Sequence, residues 1–121
     1  MAAGGSFGEF LQDQLRALGH VTVRRMFGGA GVYCDGLMFG LVSDETLYFR
    51  VDDGNRSAFE AEGQQPFTYD GKGKTIQLPY WRIPERLFDE PEEMVDWARA
   101  ALAAARRVVA KKKSKKAGRG R

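Results

Sequence analysis

The chain has 121 residues, of which 43% are apolar and 12% aromatic, and this composition suits a single domain with a buried core. It has one cysteine, which excludes an internal disulfide and favours a reducing, cytoplasmic location. No apolar run approaches the roughly 20 residues needed to cross a bilayer, so no membrane anchor is predicted. Met1 to Gly5 are small and neutral and lack the basic and apolar regions of a signal peptide, so none is predicted.

The net charge of +3 hides two parts of opposite sign. Residues 106–121 contain nine of the 19 Lys and Arg residues and none of the 16 acidic ones, which leaves ten basic and 16 acidic residues, a net charge of −6, in residues 1–105. Beyond residue 109 the chain has no apolar residue larger than alanine, so it cannot bury a core. We therefore predict a folded domain over residues 1–109 and a disordered basic tail over residues 110–121.

The first predicted element is a helix over residues 6–18, where apolar side chains recur at helical spacing. Ser6 is its predicted N-cap and Gly19 its stop. Short alternating segments then predict four strands, and Asp35-Gly36 between the second and third is typical of a two-residue hairpin turn. The predicted strands are residues 21–27, 30–34, 37–43 and 46–51.

The second half of the body continues the mixture of helices and strands. A short helix is predicted within residues 52–63, followed by strands over 66–70 and 74–83. The last predicted helix runs from about residue 92 to 109 and has one apolar face. The order of one helix, four strands, a helix, two strands and a helix predicts an α+β domain, in which helices pack on a mostly antiparallel sheet.

The glycine-rich stretch "RRMFGGAGVYCDG", residues 24–36, invites comparison with nucleotide-binding loops. Cys34 stands where a dinucleotide fingerprint needs its third glycine, and Leu37 and Met38 stand where a P-loop needs lysine and a hydroxyl. His20 and Cys34 are the only residues of their types, which argues against a zinc site and a nucleophile–base pair. We therefore predict no enzyme and no catalytic, cofactor-binding or metal-binding residues, and we interpret the glycines as a tight connection between strands.

The basic tail carries the clearest functional signal, because Lys and Arg at this density neutralise nucleic-acid phosphates without reading the base sequence. A solubilising end with no specific role is the alternative. In the body, the adjacent Tyr80 and Trp81 could present rings to bases, although such pairs more often belong to the core. The candidate nucleic-acid residues are Lys111, Lys112, Lys113, Lys115, Lys116, Arg119 and Arg121. The candidate partner-binding residues are Arg24, Arg25, Tyr80, Trp81 and Arg82.

Three stretches carry a resemblance to a known family: "RMFGG" at residues 25–29, "LYFRVDD" at 47–53, and "YWRIPE" at 80–85 before an alanine-rich helix. With them, residues 7–107 resemble the N-terminal domain of the TfoX/Sxy family of bacterial competence regulators. The resemblance implies a curved antiparallel sheet of the secretion-chaperone-like type, often paired as a dimer. It also implies regulation of natural transformation or related transcription through a transcription factor, and it brings no catalytic residues and no cofactor. Full-length members carry a second, C-terminal domain where this chain has its basic tail.

These observations favour a non-enzymatic, cytoplasmic regulatory or interaction domain. Its body is expected to contact a protein partner, either a transcription factor or a second copy, while its tail adds non-specific contact with DNA or RNA. A chaperone-like module that binds a protein segment along its sheet, with no nucleic-acid role, is the first alternative. A small-molecule binder or enzyme with a pocket beside the glycine turn is the second.

Overall fold

The computed structural model describes residues 3–26 and 28–119, and for residues 3–6 and 113–119 it describes the backbone alone. Phe27, at the end of the first predicted strand, and Arg121, in the predicted tail, lie outside the described residues. The described helices are α1 (Ala3–Gln14), α2 (Arg56–Ala61) and α3 (Pro91–Arg119), with 3₁₀ turns at Arg16–Leu18 and Glu85–Asp89. The described strands are β1 (Val21–Met26), β2 (Gly29–Cys34), β3 (Leu37–Ser43), β4 (Thr46–Arg50), β5 (Pro66–Gly71) and β6 (Lys74–Arg82).

The six strands form one antiparallel sheet in the order β1-β2-β3-β4-β6-β5. The first four strands pair consecutively, whereas β6 returns to lie between β4 and β5. The predicted α+β class and antiparallel sheet are thereby confirmed. The likeness to secretion chaperones stays a prediction.

One face of the sheet is covered by helices, with α3 lying against β3 and β4 and α1 against β1. Alternate strand residues point to this face, and Phe39 and Phe49 are fully buried there with ring centroids 5.8 Å apart. Phe59 of α2 packs edge-on against Trp97 of α3 at 4.8 Å and against Trp81 of β6 at 6.3 Å. The burial of these rings joins α2, α3 and the sheet in one core, to which α1 and the turn after it add buried leucines.

Left-handed backbone conformations build the connections on either side of β2. Asp35 and Gly36 have φ of 54° and 76°, the values of a type I′ hairpin turn, which confirms the prediction at this position. Gly28, before β2, has φ of 79°, a value that glycine adopts at little cost. Gly29 approaches β3 so closely that a Cβ atom there would overlap the carbonyl oxygen of Val42. The glycines of "RMFGG" therefore serve the connection between strands, as interpreted from the sequence.

One of the helix starts differs from the predictions. α1 begins at Ala3, so Ser6 lies inside the helix and the predicted N-cap is wrong. α2 lies within residues 52–63, as predicted, and it begins directly after Asn55, which organises the preceding loop. The Asn55 side chain accepts a hydrogen bond from the Asp52 N–H at 2.8 Å and donates one to the Arg50 carbonyl oxygen at 2.9 Å.

The backbone of α3 continues to Arg119, whereas the sequence predicted a helix end near residue 109 and a disordered tail. Alanine, lysine and arginine all have high helix propensity, and extending a helix that is already packed avoids the cost of nucleation. The helix end near residue 109 was predicted from the lack of burial beyond it, without the favourable free energy of extending an existing helix. We call residues 110–119 the basic arm, and the division between domain and tail at residue 109 stays a prediction.

Candidate functional site

The face of the sheet opposite the helices, which we call the open face, carries the other alternate set of strand side chains. One row of residues crosses it from strand to strand, each directly opposite the next: Arg24, Gly31, Leu41, Tyr48 and Arg82. Because neighbouring strands lie about 4.8 Å apart, Leu41 lies about 10 Å from each arginine along this row. The row thus sets an apolar centre between two cations.

An apolar groove with a volume of about 570 Å³ lies on the open face. Strands β1 and β5 form opposite edges of the sheet, yet both line this groove, so the sheet must curve strongly. Among the described residues that line it, the polar side-chain atoms are the hydroxyls of Ser43 and Tyr69, and the groove lacks the convergent acid and base groups of a catalytic pocket. The groove residues used below are Met26, Gly29, Leu41, Phe67, Tyr69 and Leu78.

Two arginines of the open face lie over tyrosine rings. The Arg24 guanidinium is 5.3 Å from the centre of the Tyr33 ring, and that of Arg50 is 5.5 Å from the centre of the Tyr80 ring, within the range of cation–π contacts. The Arg50 Nε is buried and has no hydrogen-bond partner among the described residues. Burial raises the pKa of the Tyr80 hydroxyl, and the neighbouring Arg50 opposes this rise. Arg50 is therefore a partly desolvated cation with an unused donor.

The open face has a positive charge although the body as a whole is acidic. Strand alternation places no Asp or Glu on it within residues 21–26 and 29–82, because Asp70 alternates with Tyr69 and points to the other side. Asp35 and Asp44 lie in the turns at its ends. The strands of this face therefore carry no carboxylate, although Arg82 Nη2 lies 3.4 Å from Glu85 Oε2 of the 3₁₀ turn that follows β6.

The five predicted partner-binding residues divide between the two faces of the sheet. Arg24, Tyr80 and Arg82 lie on the open face, whereas Arg25 and Trp81 point to the opposite side. Trp81 packs against the core and Tyr80 is 8% exposed, so the pair belongs to the interior and offers no exposed platform for bases. The role of these five residues in partner binding stays a prediction.

Sequence reasoning misses several residues of the open face, namely Met26, Arg50, Phe67 and Tyr69. The alternation in "TLYFR" places Arg50 opposite to Phe49, but only the pairing of β4 with β6 brings Tyr80 beneath its guanidinium. Phe67 meets Tyr48 edge-on at 5.1 Å, across strands that are far apart in sequence. A strand pairing of this kind could not be read from the sequence alone.

The basic arm follows two arginines that are already paired with the body. Arg107 donates to the Asp52 carboxylate from Nε at 2.5 Å and from Nη2 at 2.7 Å, and Arg106 Nη2 lies 3.2 Å from Asp35 Oδ2. The hydrogen bonds from Arg107 lower the pKa of Asp52 to about 2. Since these ion pairs occupy both arginines, the uncompensated positive charge begins at Lys111, which is exposed.

The single histidine and the single cysteine do not line the apolar groove. His20 is exposed, and burial raises the pKa of the Cys34 thiol, which keeps it protonated and unreactive. Over the part of the chain that the structure describes, no three His, Cys, Asp or Glu side chains are grouped to hold a metal ion. None of the described helices combines the length and apolarity needed to cross a membrane.

Comparison with known proteins places this chain in a family. A family model described as the TfoX N-terminal domain matches residues 13–105. The chain is 29% identical over 94 residues to Protein Sxy of Escherichia coli (strain K12), covering 78% of this chain and 45% of that protein. It is 30% identical over 101 residues to DNA transformation protein TfoX1 of Aliivibrio fischeri (strain ATCC 700601 / ES114), covering 84% of this chain and 48% of that protein. The chain spans about half the length of these curated relatives, and it belongs to the TfoX N-terminal domain family.

Proposed function

We propose that this chain is a non-enzymatic regulatory domain of the cytoplasm, which contacts a protein partner through its folded body and nucleic acid through its basic arm. The Aliivibrio fischeri relative is named for DNA transformation, and this supports a role in competence or in related transcription. A single buried cysteine suits the reducing cytoplasm.

The separation of charge along the chain is the observation that supports contact between the basic arm and nucleic acid. Arg106 and Arg107 form ion pairs with Asp35 and Asp52. The sequence then continues with five lysines in residues 111–116, and residues 106–121 contain no Asp or Glu. The body, with its excess of acids, repels a polyanion and confines the contact to the arm. Contacts of this kind reach phosphates and no base edges, so we expect binding that depends on salt and is indifferent to sequence.

Changing Lys111, Lys112, Lys113, Lys115 and Lys116 together to glutamine tests this proposal. We expect the variant to lose most of its affinity for duplex DNA. If each lysine neutralises one phosphate, the slope of log affinity against log salt falls in magnitude by up to about 4.5. Fluorescence anisotropy with a labelled duplex at about 50 mM and about 200 mM salt measures both quantities.

A matched control removes the same charge from the body, by changing Arg16, Arg56, Lys72, Lys74 and Arg99 to glutamine. These residues are exposed, and the three arginines form i,i+3 surface pairs of small energetic value, to which Arg99 adds a hydrogen bond of 3.4 Å to the Ala17 carbonyl oxygen. The control should keep the affinity and the salt slope of the parent chain. Equal losses in the two variants, or a parent chain with no salt-dependent binding, would show that the arm is not the contact.

The protein partner of the body is proposed to be a transcription factor or a second copy of the chain. A homodimer is compatible with the exposed edge strands β1 and β5, which can each pair with another strand. Sedimentation equilibrium over a range of protein concentrations distinguishes a dimer from a monomer.

A further inference from the structure

We propose that the apolar groove and the arginines of the open face bind an amphipathic segment of a partner protein, in which a large apolar side chain is flanked by carboxylates. This inference rests on the proposed function only in that the folded body binds a protein. It holds whether or not the basic arm binds nucleic acid.

The groove supplies the apolar half of the recognition. Met26 and Leu41 form its aliphatic floor. The rings of Phe67 and Tyr69, from the hairpin of β5 and β6, also line the groove. Tyr69 is 45% exposed, and its ring centroid lies 6.4 Å from that of Phe67. A groove of about 570 Å³ with flexible methionine and aromatic walls suits one or two large apolar side chains.

The arginines supply the acidic half of the recognition. Arg24 and Arg82 lie at the two ends of the row whose centre is Leu41, so a segment anchored in the groove passes within reach of a cation on either side. At Arg82 a partner carboxylate competes with Glu85, whose pair with this arginine is exposed and long, at 3.4 Å. Arg50 adds a buried Nε without a hydrogen-bond partner among the described residues. The residue as a whole is only partly buried, so a carboxylate from the partner can pair with the charge of the same guanidinium while Nε itself stays buried.

The same features disfavour a second copy and a nucleic acid on this surface. Two open faces placed together would bring their arginines into contact with no described strand carboxylate between them, and like charges repel. Single-stranded nucleic acid is commonly bound by several exposed rings on which successive bases stack. On this face the Tyr48 and Phe67 rings meet edge to face, at 81°, and Tyr80 is buried, which leaves Tyr69 as the exposed ring among the described residues. The aliphatic floor likewise fits a side chain better than a base.

A synthetic peptide in which Phe-Leu is flanked on both sides by Asp-Glu-Asp is the probe for this surface. Its binding to the full chain is followed by fluorescence anisotropy. We expect the charge-reversal variant Arg24→Glu/Arg82→Glu to bind it at least about tenfold more weakly, and Tyr69→Ala to lose a similar factor. The matched control Arg16→Glu/Arg99→Glu changes the net charge equally on the helical side and should bind within about twofold of the parent.

Thermal unfolding by circular dichroism confirms that each variant is folded before its binding is compared. A peptide with Lys in place of every acid, and one with Ala-Ala in place of Phe-Leu, should both fail to bind. Equal affinity in the two charge-reversal variants, or no binding of the acidic peptide, would overturn the proposal.

Two further results would overturn it in favour of another occupant. Oligo-dT is titrated into the variant that lacks the five arm lysines, so that the arm does not contribute. Binding there that is lost on adding Arg24→Glu/Arg82→Glu would make the open face a nucleic-acid surface. A dimer in sedimentation that is dissociated by Tyr69→Ala but not by Arg16→Glu/Arg99→Glu would make it a contact between copies.

Discussion

Replacing Gly29 with alanine is expected to lower the free energy of unfolding by about 2–4 kcal/mol. A Cβ atom at this position would overlap the Val42 carbonyl oxygen, and a backbone atom held in the sheet cannot rotate away as a side chain can. The strands β2 and β3 would have to separate at the end where they line the apolar groove. Urea denaturation, followed by far-UV circular dichroism, measures the loss.

The neighbouring glycine gives the control for this prediction. Gly28 has φ of 79°, and a Cβ added there would meet nothing within 4 Å, so Gly28→Ala carries only the conformational penalty, about 1 kcal/mol. If Gly29 is needed for the close approach of β2 to β3, Gly29→Ala lowers the free energy of unfolding clearly more than Gly28→Ala does. A neutral Gly29→Ala, or equal losses, would contradict it.

Phe59→Ala is expected to cost about 3–5 kcal/mol, a large part of the stability of a domain of this size. The ring is 1% exposed and packs against Trp97 and Trp81, so its removal leaves a cavity where α2, α3 and β6 meet. Both tryptophans report on this region, and their fluorescence during urea denaturation follows the transition.

Phe10→Ala is the matched control, since it removes the same side chain from a helix surface. The Phe10 ring is 41% exposed and stacks at 6.2 Å on Phe7, so we expect a loss of about 1 kcal/mol. If Phe10→Ala proved as costly as Phe59→Ala, the burial of Phe59 between α2, α3 and β6 would not explain the cost of removing its ring.

Local signals in the sequence predicted most of the sheet. Alternation between apolar and polar residues placed β1 to β4, and Asp35-Gly36 fixed the turn between β2 and β3, because these depend on neighbouring residues only. Pro79 cannot donate a hydrogen bond to a neighbouring strand, yet it lies inside β6, where its carbonyl oxygen accepts the Val51 N–H at 2.9 Å.

Features that depend on distant residues could not be predicted in this way. The insertion of β6 between β4 and β5 brings Arg50 over Tyr80, and Arg107 reaches Asp52 across 55 positions of the chain. The sequence showed basic residues and aromatic residues but not which of them share a face, so the predicted partner-binding set mixed Arg24 with the core residue Trp81. The continuation of α3 was missed because helix propagation was not weighed against lack of burial.

If nucleic acid and protein use different surfaces of this chain, as we propose, backbone amide chemical shifts will separate the two surfaces residue by residue. A mixed-sequence DNA duplex is titrated into the isotope-labelled full chain at low salt. We predict that the shift changes concentrate from residue 108 onwards and fade as salt is added, while Arg24, Leu41 and Tyr48 of the open face stay unchanged. Changes of equal size at those three residues, or no change in the arm, would contradict the claim.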